Sequence, residues 1–287
     1  MRKIILPFFI LIVISLSYSC KQSSKSQDNA TEFDTLISSY TSMFGSKSSL
    51  QTIAEVLIKS GIEYNPDITI DTLIQPEYTQ SVEAAGLYCG MFSADALYHS
   101  AFLNSDAAFE SYTSAQVLAN FLGIGPFYVE NLLKRNKEDL TEADSILYNF
   151  DKVLAEFDTT YSQEERFRII TSYLIGNLIE KLYLLNEGVK SLEGMPVTEI
   201  TQQARFIFKS LELSSTSVDM FVAILDKYSQ NKGNPLHVEF ITLQSLYQEL
   251  EQKGVPNYKP GDTYEPTEEM KNISLQVEKI RNQIIAI

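Results

Sequence analysis

The sequence predicts an all-α fold, a helical bundle of about nine to ten helices, and three observations predict it. From Phe33 onward apolar residues recur at spacings of three and four, the repeat of a helix with a buried face. Helix start and stop signals return at helix-like intervals. Alternating runs bounded by turns are nearly missing: Ile68 to Ile74 is the one strand-like stretch, and with no apparent partner it reads as extended coil. With 287 residues, 44% hydrophobic and 21% charged, the chain can bury one large core.

The first element, residues 1–19, reads as an export signal. Arg2 and Lys3 precede an apolar run from Ile4 to Leu16, and small polar residues lead into Cys20. Thirteen helical residues rise about 20 Å, short of the ~30 Å hydrocarbon core of a bilayer, so the segment is expected to be removed rather than to span. The stretch Leu16-Ser17-Tyr18-Ser19-Cys20 resembles the lipobox of bacterial lipoproteins, whose Cys is acylated and becomes the mature N-terminus. On that resemblance Cys20 is a lipidation site and Cys89 is the one remaining thiol. Residues 20–32 then form a lipidated Cys and a polar tether with nothing to bury, its eleven residues from Lys21 to Thr31 spanning roughly 18 Å.

Residues 33–287 are expected to form a single helical domain. Ser48 or Ser49 opens a helix to Lys59, closed by Gly61 in the left-handed conformation. After the Asn65-Pro66-Asp67 turn, a long helix runs from about Gln80 to Leu103. Ser105 is read as the cap of the next, which ends at Gly123. Pro126 sits as the first residue of a helix over Phe127 to Lys137, and Thr141 with Asp144 opens one to about Phe157. Ser162 with Glu165 is a full capping box for a helix to Asn186 and Gly188. Thr198 starts a helix to about Leu213, Ser217 one to Ser229, Asn234-Pro235 one to Lys253, and Pro266 or Thr267 the last, over about 267–285.

Two of these helices are alike. Asp95-Ala96-Leu97-Tyr98 and Glu180-Lys181-Leu182-Tyr183 place an acid three residues before a Tyr, 85 positions apart, each late in a helix that is apolar almost all round. This predicts two pseudo-repeated four-helix modules, about 80–160 and 162–253, sharing a core built on their first helices. Gly86, Gly90, Ser93 and Ala94 in the first and Gly176 in the second would let the two backbones approach closely.

The combination of Ala54-Glu55-Val56-Leu57-Ile58 through Ser60-Gly61 and Tyr64-Asn65-Pro66, then Leu87-Tyr88 through Ser93-Ala94-Asp95-Ala96-Leu97-Tyr98, then Leu122-Gly123-Ile124, then Ile175-Gly176-Asn177-Leu178-Ile179-Glu180 with Leu182-Tyr183 resembles an uncharacterised family of all-helical bacterial lipoproteins. The resemblance covers about residues 50 to 190. It departs at Ile179, where the family often carries Trp. It implies a fold and a location, and it brings no activity with it.

Composition excludes several functions. Lys plus Arg number 23 against 37 Asp plus Glu, a formal charge of −14, so the basic surface that nucleic acid requires is absent and no nucleic-acid partner is expected. Two Cys, two His and no Trp are too few for a zinc finger or a disulfide framework. There is no G-x-S-x-G and no H-E-x-x-H. Cys89, between Tyr88 and Gly90, reads as a packing residue.

Asp95 and Glu180 are the most informative side chains, since a carboxylate inside an apolar helix must be paired, hydrogen-bonded or neutralised. The plain reading is a buried polar clamp to a Tyr hydroxyl, a helix N-terminus, or an Arg such as Arg166, Arg168 or Arg205. The sharper one is a ligand-binding pocket lined by Asp95, Tyr98, His99, Glu180 and Tyr183. Asp95 and His99 stand four apart on one face and offer at most two metal ligands, so no metal and no cofactor are expected. His237 reads as solvent-facing. Tyr258 to Pro266 reads as a loop returning the last helix to the bundle.

The function expected from these readings is an exported, lipid-anchored helical binding or interaction protein rather than an enzyme, since no catalytic motif is present. Its partners are the membrane, through the lipid, and a protein or small molecule. The alternative is a small-molecule or metal-binding lipoprotein with a central polar pocket. Lys21, in place of the Asp that retains some lipoproteins at the inner membrane, points to an outer-membrane anchor facing the periplasm.

Overall fold

The computed structural model describes residues 57–58, 61–123, 162–227, 235–254, 259 and 261–286, which all fall in the unit Thr41–Ile287. They are helical, with six long α-helices, two short 3-10 turns and no strand among them. The expected helices over 127–137 and 141–157, most of that over 48–59, and Cys20 with its tether lie outside the described residues. Among the described residues no helix is long and apolar enough to cross a membrane.

The chain enters through Gly61, at φ +65°, and runs as coil from Ile62 through two 3-10 turns, Pro66–Ile68 and Pro76–Thr79. Helix α1, Val82–Ala101, is capped by Ser81, whose hydroxyl accepts the Ala84 N–H at 3.0 Å. It is buried continuously from Ala84 to His99, as a helix apolar on every face must be. Helix α2, Ser105–Phe121, is capped by Asn104 and not by Ser105 as the sequence suggested. The Asn104 carboxamide serves two ends: its oxygen accepts the Ala107 N–H at 3.2 Å and its nitrogen donates to the Tyr64 hydroxyl at 2.9 Å.

Helix α3, Gln163–Ser191, starts at the expected capping box, with Ser162 and Glu165 bonded reciprocally, and runs one turn past the predicted stop at Gly188. Gly188 lies inside the helix and serves packing rather than a stop: a Cβ there would meet Leu57 Cδ2 at 2.6 Å and Ile62 Cδ1 at 2.8 Å. Helix α4, Val197–Lys227, replaces the two helices expected over that stretch. The Ser214-Ser215-Thr216-Ser217 cluster resembled a break. Its hydroxyls are instead small enough to bury in a continuous helix, where Ser214, Ser215 and Ser217 are all inside. Helix α5, Pro235–Lys253, begins with its Pro as predicted, and helix α6, Glu268–Ile285, is capped by the Thr267 hydroxyl.

Helices α1 and α3 form the most extensive contact, followed by α1 with α2. They run parallel, since contacts advance together along both: Glu83 meets Arg168, Gly90 meets Asn177, and Asp95 meets Glu180. Their backbones touch at glycine. A Cβ on Gly90 would fall 2.0 Å from the Tyr173 carbonyl oxygen, and one on Gly176 would fall 1.9 Å from that of Leu87. No other residue fits at such a distance. Helices α4 and α5 pack antiparallel, with Phe221 stacked on Phe240 at 5.6 Å. His237, expected at the surface, is buried there. Asn234-Pro235 places it on the same face as Phe240, one turn in, and its Nε2 reaches Asp226 Oδ1 of α4 at 2.9 Å.

Helix α6 packs against α5 and α3. The segment before it is tied to the α3–α4 turn: Gly194 N–H donates to the Tyr264 carbonyl at 2.9 Å and Tyr264 N–H to that of Met195 at 2.8 Å. Tyr264 is fully buried. This loop therefore seats the last helix, the ordinary role read for it from the sequence.

Candidate functional site

Three helices bring their polar side chains to one place. Helix α1 supplies Asp95, Tyr98 and His99, α3 supplies Glu180 and Tyr183, and α6 supplies Arg281. Asp95 and Glu180 are wholly buried. The partner of Glu180 is Arg281, which donates through Nε to Oε2 at 2.8 Å and through Nη2 to Oε1 at 2.9 Å. This two-point bond is the strong form of the guanidinium–carboxylate pair. The same guanidinium lies 4.0 Å over the Tyr183 ring and reaches the Ile68 carbonyl at 3.4 Å. Of the arginines expected as partners, Arg168 pairs with Glu83 at the surface, and the side chains of Arg166 and Arg205 lie outside the described residues.

Arg281 was the residue that sequence reasoning missed. Its signal was present: Ile273, Val277, Ile280 and Ile284 mark the buried stripe of the last helix, and Arg281, four after Val277, stands on that stripe. A cation on an apolar face requires a buried anion, as an anion on one requires a cation.

Asp95 is bonded through Oδ2 to the Ile70 N–H at 3.1 Å, and its carboxyl stands in the field of the Glu180 carboxylate. Two wholly buried acids face one guanidinium, an arrangement that favours the neutral form of one of them. Asp95 Oδ1 receives no donor, whereas Glu180 accepts two bonds from Arg281, so of the two acids Asp95 is the one without a cation partner. Burial first, and the Glu180 charge second, hold the Asp95 carboxyl well above the ordinary carboxylate range. Burial also raises Glu180. The triad thus sets two buried acids against one cation.

Tyr98 and His99 engage the residues before the first 3-10 turn. The Tyr98 hydroxyl accepts the Asn65 N–H at 3.0 Å and donates to the Asn65 carbonyl at 3.1 Å. The Tyr64 hydroxyl accepts from Asn104, so it donates to His99 Nδ1 at 2.8 Å and fixes the neutral imidazole with its proton on Nε2. Burial lowers the His99 pKa to about 4. The Nδ1 lone pair of His99 and both oxygens of Glu180 are therefore committed to protein groups. Among the described residues no group of three His, Cys, Asp or Glu is arranged to hold a metal ion.

Two further buried groups flank the triad. Lys181 donates to the Asn177 carboxamide oxygen, whose nitrogen donates to the Gly90 carbonyl at 3.1 Å. Burial lowers its amine to about 7. Cys89 is fully buried with its thiol donating to the Ala115 carbonyl at 3.4 Å, and burial pushes its pKa up, which suits packing and not nucleophilic attack.

The arrangement holds a proton and grips main chain. Its side chains bond the backbone of residues 65, 68 and 70, and Ser114 of α2 adds the Thr72 carbonyl at 2.5 Å. Comparison with protein-family models, with curated proteins and with solved structures finds no match to this chain.

Proposed function

We propose that the chain is an exported protein, anchored through a lipid on Cys20 to the bacterial outer membrane and facing the periplasm, that works as a helical binding or interaction protein. The observation that supports this reading is the closure of the polar centre. Asp95, Glu180, Arg281, Tyr98 and His99 bond to one another and to the chain's own backbone, which leaves recognition to the outer surface. There, α2 turns Phe109, Val117 and Phe121 outward at helical spacing, with Leu103 before it 75% exposed.

Two measurements test the proposal. Mass spectrometry of the N-terminal peptide is expected to show a lipid-modified Cys20, lost in Cys20→Ala together with partition into the membrane fraction; an unmodified Cys20 refutes the anchor. Native mass spectrometry of the purified chain is expected to give the bare protein mass. A metal or small molecule that is retained, and that Glu180→Gln releases, would transfer the assignment to a solute-binding lipoprotein with a central pocket.

The pseudo-repeat belongs to the same proposal. The Glu83–Arg168 and Asp95–Glu180 contacts both join residues 85 apart, as expected if α1 and α3 are copies meeting about a two-fold axis along their length. On this reading the nine to ten helices group into modules of about 80–160 and 162–253. Related chains should then carry matching residue types at that offset throughout the helix pair, and an absence of such matching removes the idea.

A further inference from the structure

We infer that residues 65–72 form a strap over α1, held closed by the buried Asp95–Glu180–Arg281 cluster, that lifts when this cluster gains negative charge. The strap carries little regular structure of its own, its internal backbone bond running from Thr69 N–H to the Pro66 carbonyl at 3.3 Å. What holds it are four side chains from three helices, α1, α2 and α6. Tyr98 bonds both polar groups of the Asn65 backbone, Arg281 reaches the Ile68 carbonyl, Asp95 takes the Ile70 N–H, and Ser114 takes the Thr72 carbonyl. Two of those four anchors, Asp95 and Arg281, belong to the charged triad.

The groups facing Asp95 define what losing the proton does. From α3 comes Glu180, from α6 Arg281, from α1 the Tyr98 hydroxyl with neutral His99 one residue on, and from the strap the Ile70 N–H. Lys181, next to Glu180, is engaged by Asn177. The acidic residues of the strap itself, Asp67 and Asp71, are on its exposed side. One guanidinium thus faces two acids, and deprotonation leaves a net negative charge in the interior that must be hydrated. The three helices around it cannot yield cheaply, since α1 and α3 are in backbone contact at Gly90 and Gly176. The strap can. Ile68, Thr69 and Ile70 are half-buried, and among the described elements against the triad theirs is the one without a helical hydrogen-bond ladder. Water therefore reaches Asp95 by displacing these residues, which uncovers Asp95, Tyr98 and Arg281 as a polar cleft.

The test is hydrogen–deuterium exchange of the purified full chain between pH 6 and 9, read by mass spectrometry as protection after division by the intrinsic rate. Above the titration of the pair, protection over residues 65–72 is expected to fall as much as about tenfold per pH unit, while α5 keeps its protection. In Asp95→Asn, which is neutral at every pH and keeps an acceptor for Ile70, protection should stay flat. Should that variant fail to fold, Tyr98→Phe serves: it removes two strap bonds without touching the acids, so exchange should rise at every pH with the wild-type slope. Flat wild-type protection overturns the inference. So does simultaneous loss over residues 65–72 and α5, which would be global unfolding, or an Asp95→Asn slope equal to the wild type.

Discussion

Replacing Asp95 with asparagine should stabilise the protein, and increasingly so as the pH rises. The reasoning follows from the proton. In the folded chain Asp95 keeps it at pH values where the unfolded chain, with an ordinary carboxyl value of 3.8, has released it. The folded state therefore binds more protons than the unfolded state between those two values, and stability falls as pH rises through that interval, by up to about 1.4 kcal/mol per unit. Asparagine has no proton to lose. Its carboxamide is neutral at every pH, and its oxygen accepts from Ile70 N–H at the distance now 3.1 Å. The gain over wild type should be near zero around pH 4 and grow by about 1 kcal/mol for each unit above it until the pair titrates. Urea unfolding of both proteins at pH 5, 6, 7 and 8 measures it. Parallel stability curves, or an asparagine variant destabilised at every pH, would show that Asp95 is not protonated in the folded chain.

Four further outcomes follow from the same geometry. Arg281→Leu leaves Glu180 buried without its cation and should cost about 3–5 kcal/mol, most of it recovered in the Arg281→Leu/Glu180→Leu double variant; a double-mutant cycle in urea decides. Gly90→Ala sets a methyl 2.0 Å from the Tyr173 carbonyl and should cost about 3 kcal/mol or more, whereas Gly194→Ala, at φ +81° with open space around it, should lose about 1 kcal/mol, both read by thermal melting. Lys181→Met should stabilise by up to about 4 kcal/mol at pH 7, because the amine titrates near 7 folded and 10.5 unfolded, and by about 2 kcal/mol at pH 9; a constant difference across that range refutes the assignment. Cys89 should react with a maleimide only in denaturant, and labelling of the native chain would contradict its burial.

What was legible in the sequence was local. Ser162 with Glu165, Asn234-Pro235 and Thr267 announce helix starts because each cap is written within four residues. The burial of α1 and its pairing with α3 were also legible, since an apolar helix with glycines requires a close neighbour. The serines near 214 misled because the residues that break a surface helix are also small enough to line a buried one. Arg281 and the strap were hidden for a different reason: their bonds join residues 101 and 25 positions apart, and no local pattern says which buried anion a distant cation will find. The two acids marked the centre of the molecule, and the spacing between them did not reveal that a single guanidinium would face both.

The order in which the triad is synthesised constrains how the protein matures. Both carboxylates emerge long before their cation, Glu180 preceding Arg281 by 101 positions. A nascent chain that has reached α3 holds two acids bound for its interior and nothing to balance them. Closing the core at that stage would bury Glu180 without its cation, so the pair is complete only once α6 is in place. The last helix, which carries Arg281, is therefore the latch that completes the charged centre.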